Sequence, residues 1–280
     1  MATQVLQGRQ LEPVKHRDSK IKKGYACAVT VCIAATCQDK GEPRIVVCAD
    51  TRLSYPNIGS TNTTVKVDVL GHGWLVQMAG DWSAVRILCS LLKDRIQAQT
   101  SVTLRNIMKE SKEAVREFKR GPAFTQSDTT QLLISGFEGK EPHILSVSIF
   151  DGGKEQIELR EPFGSIGSGF GVADILLSLR ECRPDMPLPY VAYLVYEAKR
   201  SSEKLGSVGT FTTLSVHSPN ITDLKDRAYV KVLSEVGIVQ LEAYYRGLWK
   251  VPVATFPDFT EDFFIDLEAI RSHQFPKRGQ

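Results

Sequence analysis

Four residues within the first eighty positions carry the groups that acyl transfer needs. Thr30 stands in AVTVC, Asp50 closes CAD, Lys66 follows Asp50 by sixteen positions, and Gly80 follows Lys66 by fourteen in QMAGD. A hydroxyl can attack a carbonyl, a carboxylate and an ammonium can set the proton balance around it, and a backbone N–H at a strand-to-helix junction can steady an oxyanion. Each residue also has a plain structural role. Thr30 is a β-former at a strand start, Asp50, Arg52 and Lys66 can make an ion pair, and Gly80 permits the turn into a helix.

For these groups to meet, the elements carrying them must converge. Alternating apolar residues run through VTVCIAAT (29–36) and IVVCAD (45–50), joined across QDKGEPR as a hairpin. VKVDVL (65–70) and GWLVQMAG (73–80) make a second hairpin across GHG. If these four strands form one sheet, the four residues gather near one edge of it. Asp81 is the N-cap of a helix carrying Val85, Leu88, Leu92 and Ile96, and a second helix after Thr100 and Ser101 carries Leu104, Ile107, Val115 and Phe118. Strands return at 131–135, 143–150 and 155–160. After the glycine cluster GSIGSGFG (164–171) come helices over ADILLSLREC and YVAYLVYEAKRSS, strands at 210–216 and 226–233, and a helix at 234–247. Runs of strands and runs of helices with hairpin-length links predict an α+β fold, a four-layer αββα sandwich of two antiparallel sheets between helix layers. The tail 251–280, rich in phenylalanine and acid, reads as a terminal helix docked on the body, with a partner-binding segment as the alternative.

Composition narrows the function. At 280 residues and 42% apolar the chain can bury a substantial core, and no window of eighteen apolar residues or N-terminal apolar stretch suggests a membrane span or secretory signal. A cytoplasmic protein is expected. The cysteines Cys27, Cys32, Cys37, Cys48, Cys89 and Cys182 form no C-x-x-C pair and read as reduced core residues, and the five histidines are too scattered for a metal site. Residues 1–24 hold a balance of +4, so the remainder of a +3 chain carries −1, too little for a nucleic-acid surface. The glycine cluster lacks the spacing of a phosphate loop and the strand-helix-strand context of a dinucleotide site, so no cofactor is expected.

Order and spacing together then become specific. The chain resembles the proteasome β-type and bacterial proteasome-like branch of the N-terminal nucleophile hydrolases over about residues 30–247. Ala49, Asp50, Thr51 and Arg52 match its A-D-x-R strand end, Lys66 and Gly80 fall at its spacing, and Ile166 to Gly169 match I-G-S-G, placing Ser168 at the family's serine. The resemblance implies that Thr30 Oγ attacks an amide carbonyl and that its own freed α-amine, a group titrating near pH ~8, takes the proton. It further implies that Lys66 favours the neutral amine, Asp50 holds Lys66, Arg52 balances Asp50, and the Gly80 N–H stabilises the oxyanion. Assembly into rings or other homo-oligomers, a peptide or protein substrate, and an ATPase partner are implied in the same way. Two departures stand out. KRSSEKLGSVG offers Ser201, Ser202 and Glu203 where the family has an aspartate and a serine, and residues 1–29 precede Thr30.

An N-terminal nucleophile needs a free amine. At the Val29–Thr30 junction a β-branched residue crowds the carbonyl that glycine usually leaves open to self-cleavage. If the source is bacterial, Val29 read from GTG can instead be the true start, with the codons of Lys22, Lys23 and Gly24 supplying a purine run about twelve nucleotides upstream. The expected organisation is therefore an extension at 1–29, a hydrolase domain at 30–250 and a tail at 251–280. The expected function is a threonine peptidase that has lost the extension. The alternatives are a non-catalytic subunit that keeps it, or a hydrolase of small-molecule amides.

Overall fold

Both opening hairpins form through turns suited to the twist of their strands. β1 (Cys32–Asp39) passes into β2 (Glu42–Asp50) through Lys40 and Gly41, both left-handed at φ 53° and 81°. Two short strands that the periodicity does not reveal follow, β3 (Leu53–Tyr55) and β4 (Gly59–Thr61), paired with each other. β5 (Val67–Gly71) and β6 (Trp74–Gly80) then repeat the left-handed two-residue turn through His72 and Gly73, at φ 52° and 76°. The structure, a computed structural model, describes residues 30–51, 53–55, 59–61, 66–125, 129–205, 208–219, 230–247 and 264–266.

Helix α1 (Trp82–Gln97) starts where Asp81 accepts the Ala84 N–H at 2.9 Å, and α2 (Leu104–Arg120) where Thr103 accepts that of Asn106 at 3.2 Å. Three strands follow, β7 (Thr130–Glu138), β8 (Glu141–Ile149) and β9 (Glu155–Leu159). The glycine cluster overlaps a strand, β10 (Phe163–Ile166). Beyond it lie α3 (Phe170–Leu179), α4 (Leu188–Ser202), β11 (Thr212–His217), β12 (Val230–Leu233) and α5 (Glu235–Gly247). The tail contributes β13 (Phe264–Asp266), which pairs with β12, where a helix was expected. Its pairing covers backbone groups that β12 would otherwise leave at an edge.

Apart from the β3-β4 pair, the strands form two antiparallel sheets ordered β10-β1-β2-β11-β12-β13 and β5-β6-β7-β8-β9. The two opening hairpins therefore lie in different sheets, so the condition that the four strands share one sheet is not met. The reason is burial on both strand faces. Ile33 and Ala35 of β1 pack with Val191, Leu194 and Val195 of α4, while Cys32 and Ala34 pack with Leu75, Leu133 and Ile144 of the other sheet. A strand apolar on both sides needs a layer on each, so the hairpins stack instead of extending one another. On the far side of the second sheet, Trp74, Val76, Leu132 and Ile134 pack with Val85, Leu88, Leu92 and Phe118 of α1 and α2. The result is the expected αββα sandwich.

Candidate active site

The end of the first sheet and the start of the second bring Thr30, Asp50, Lys66 and Ser168 together. Thr30 sits two residues before β1 and Asp50 ends β2, with the Asp50 N–H bonded to the Val31 carbonyl at 3.2 Å. Lys66 arrives from the opposite sheet, one residue before β5, its carbonyl accepting the Met78 N–H of β6 at 3.0 Å. Thr30, Asp50 and Lys66 are 0, 0 and 2% exposed. The Thr30 hydroxyl donates to Asp50 Oδ1 and accepts from Lys66 Nζ. Lys66 Nζ also donates to Asp50 Oδ1 at 2.7 Å, and Asp50 Oδ2 accepts the Gly209 N–H at 2.8 Å. Each buried charge thus has an opposite charge and hydrogen bonds, the condition under which ions persist away from water.

Ser168 completes the cluster from the loop after β10. Its Oγ accepts the Thr30 N–H at 3.2 Å and donates to the Thr30 carbonyl at 3.2 Å, which also accepts the Gly169 N–H at 3.1 Å. The glycine cluster acquires its meaning here. Gly167 is left-handed at φ 90°, and a Cβ on it would lie 2.4 Å from the Thr30 carbonyl oxygen, so only glycine lets this loop close on the Thr30 backbone. Its N–H is held by Gln131 Oε1 at 2.9 Å.

Gly80 ends β6, the strand in which the Met78 N–H donates to the Lys66 carbonyl and the Met78 carbonyl accepts Cys32 Sγ at 3.6 Å. Its φ of 109° and a virtual Cβ 2.0 Å from the Thr129 carbonyl oxygen fix it as glycine. Burial pushes the neighbouring Cys32 thiol up to about 12, so it stays protonated and does not compete with Thr30 as a nucleophile. Arg52 lies outside the described residues, as do residues 1–29.

At the end of α4 lie the residues that stand where an aspartate and a serine were expected. Ser202 Oγ lies 3.1 Å from the Gly169 carbonyl and 2.9 Å from that of Ala198, while Glu203 pairs with Lys199 and Arg200. Sequence reasoning missed Gly209 and Gln131. Gly209 closes KRSSEKLGSVG without a motif of its own, and Gln131 reads as an ordinary strand residue, so neither carries a local signal. Among the described residues, no three histidine, cysteine or acidic side chains are grouped as metal ligands would be. Nor, among them, is any helix long and apolar enough to cross a membrane.

No family model matches the sequence, and comparison with curated proteins finds no relative. Solved structures do match. The Anbu (Gly-1) mutant from Hyphomicrobium sp. strain MC1 superposes with a TM-score of 0.58 at 19% identity, covering 82% of this chain and 99% of its own. Eukaryotic HslV from Trypanosoma brucei superposes at 0.52 and 14% identity, covering 68% and 99%. At such identities the likeness speaks for architecture, and together with the two stacked sheets and their helix layers it identifies the chain's fold as that of the proteasome-like N-terminal nucleophile hydrolases.

Proposed function

We propose that the chain, once it begins at Thr30, is a threonine-type peptidase. The observation that carries this reading is the Thr30 hydroxyl bonded at once to Asp50 and Lys66, with the nitrogen of the same residue on Ser168. The freed α-amine takes the hydroxyl proton as Oγ attacks the amide carbonyl, and the Gly80 N–H stabilises the oxyanion, an interaction worth roughly 3–4 kcal/mol when preorganised. Collapse of the tetrahedral species breaks the C–N bond, and the α-ammonium returns its proton to the departing amine. Water, deprotonated by the same amine, then hydrolyses the ester and restores Thr30. The Lys66 ammonium favours the neutral amine, Asp50 and Arg52 hold the charges in balance, and Ser168 orients the nitrogen.

Peptide bonds are the substrate this reading favours, in a homo-oligomeric assembly to which an ATPase can deliver protein. Exposed Ile175 and Leu179 on α3 and Val236 and Val239 on α5 support self-association, which light scattering measures directly. A non-catalytic subunit is the second reading. It is favoured by the Val29–Thr30 peptide bond, which occupies the required nitrogen, and by the complete burial of Thr30.

The deciding experiment is N-terminal sequencing and intact mass of protein made from the native gene, combined with labelling by a threonine-directed electrophile. A Thr30 terminus and a label lost in Thr30→Ala support the peptidase. Chains starting at Met1 that take no label support the subunit, and a label that survives Thr30→Ala moves the nucleophile elsewhere. Turnover of small amides but not peptides shifts the reaction to the small-molecule class.

A further inference from the structure

Lys199 of α4 is completely buried, yet the proposed reaction makes no use of it. Its ammonium donates to Glu203 and, at 2.9 Å, to the carbonyl of Thr210. Thr210 adjoins Gly209, whose N–H holds Asp50 Oδ2 at 2.8 Å. The other Asp50 oxygen holds both Lys66 and the Thr30 hydroxyl. Lys199 therefore grips the backbone segment that fixes the carboxylate at the centre of the cluster.

Its electrostatic surroundings fit the same role. Burial draws the Lys199 ammonium downward from its ordinary range, opposed by Glu203 and, from β2, by Cys48 and Asp50. Glu203 also pairs with Arg200. An apolar side chain would fill this position of α4 without the desolvation cost of an ammonium, so packing alone does not account for a lysine here.

We propose that Lys199 and Glu203 are positioning residues, a clamp that holds the Gly209–Thr210 backbone so that Gly209 orients Asp50, and Asp50 orients Lys66 and the Thr30 hydroxyl. The catalytic consequence rests on the peptidase reading; the clamp itself does not.

The first test uses the full-length chain. Hydrogen–deuterium exchange is measured for wild type, Lys199→Met, which keeps the volume without the charge, and Lys199→Arg. In Lys199→Met, exchange at Gly209 rises about tenfold, the worth of one charge-assisted hydrogen bond, while β1 and the start of β2 keep their protection. Lys199→Arg restores part of it. Unchanged exchange at Gly209 overturns the clamp, whether or not the protein hydrolyses anything.

The second test uses the protein that begins at Thr30. Lys199→Met lowers kcat about 10- to 100-fold with KM held within about twofold, the signature of misplaced reacting groups. With a buried cation removed from the charges around Asp50, the acid limb of the kcat/KM profile moves to higher pH. Glu203→Gln, which leaves the cation unbalanced, moves it lower, and it carries this test should Lys199→Met fail to fold. Faster exchange with kcat and both limbs unmoved reduces Lys199 to a structural residue and overturns the assignment. Faster exchange in a chain whose wild type is inactive keeps the clamp on Asp50 and discards the peptidase reading instead.

Discussion

Lys66→Met isolates the central charge pair. The Lys66 ammonium and the Asp50 carboxylate are 1 and 0% exposed and 2.7 Å apart. Removing the cation leaves Asp50 in the seam between the sheets with, among the described residues, the Thr30 hydroxyl and the Gly209 N–H as its hydrogen-bond partners. Breaking a buried pair on one side costs about 3–5 kcal/mol, because the remaining charge has lost its partner and cannot regain water. With a slope of about 2–3 kcal/mol/M for a chain of this size, the urea midpoint falls by roughly 1–2 M. Asp50→Asn strands the other charge and costs a similar amount. In the double variant neither charge remains, and the loss shrinks to about 2 kcal/mol or less. The two single costs then exceed the double by roughly 3 kcal/mol or more, a coupling that distant, independent sites do not show. Equilibrium urea unfolding of the four proteins, followed by tryptophan fluorescence, measures it. A Lys66→Met midpoint within about 0.3 M of wild type, or costs that simply add in the double variant, refutes the claim that this pair is buried and mutually dependent. The peptidase reading predicts that all three variants of the protein beginning at Thr30 lose peptide hydrolysis, so the stability cycle separates the pair's structural role from its chemical one.

Two further perturbations test the frame around the site. Gly80→Ala places a methyl 2.0 Å from the Thr129 carbonyl at a φ of 109°; a loss of roughly 2–4 kcal/mol is expected in urea, and a wild-type midpoint would show that this backbone is not held as described. His217, fully buried on β11 against Phe137 with ring centroids 5.0 Å apart, is held by burial down to about 3. The unfolded chain takes up that proton near pH ~6.5 and the native one only far lower, so between these values acid favours unfolding, by up to about 1.4 kcal/mol per pH unit. His217→Phe flattens this part of the stability profile between pH 4 and ~6.5 relative to wild type. Parallel profiles for the two proteins would mean that the native state charges His217.

Much of the element order was legible in the sequence because its signals are local. Lys40-Gly41 and His72-Gly73 turn their hairpins, Asp81 caps α1, and the helical spacing of Val85, Leu88, Leu92 and Ile96 presents one buried face. The tail strand β13 was not legible, since three residues show no reliable period and form a strand only by pairing with β12.

The site divides along the same line. The types and order of Thr30, Asp50, Lys66, Gly80 and Ser168 are properties of the chain itself, and they were sufficient to suggest acyl transfer. Which sheet each hairpin joins, why Gly167 must be glycine, and how Gly209, Gln131 and Lys199 serve the cluster were decided by the tertiary structure alone. Asp50 meets Gly209 across 159 positions and Thr30 meets Ser168 across 138. Contacts over such separations arise from the stacking of layers that are apolar on both faces, and no short stretch of residues encodes which partner the stacking will deliver.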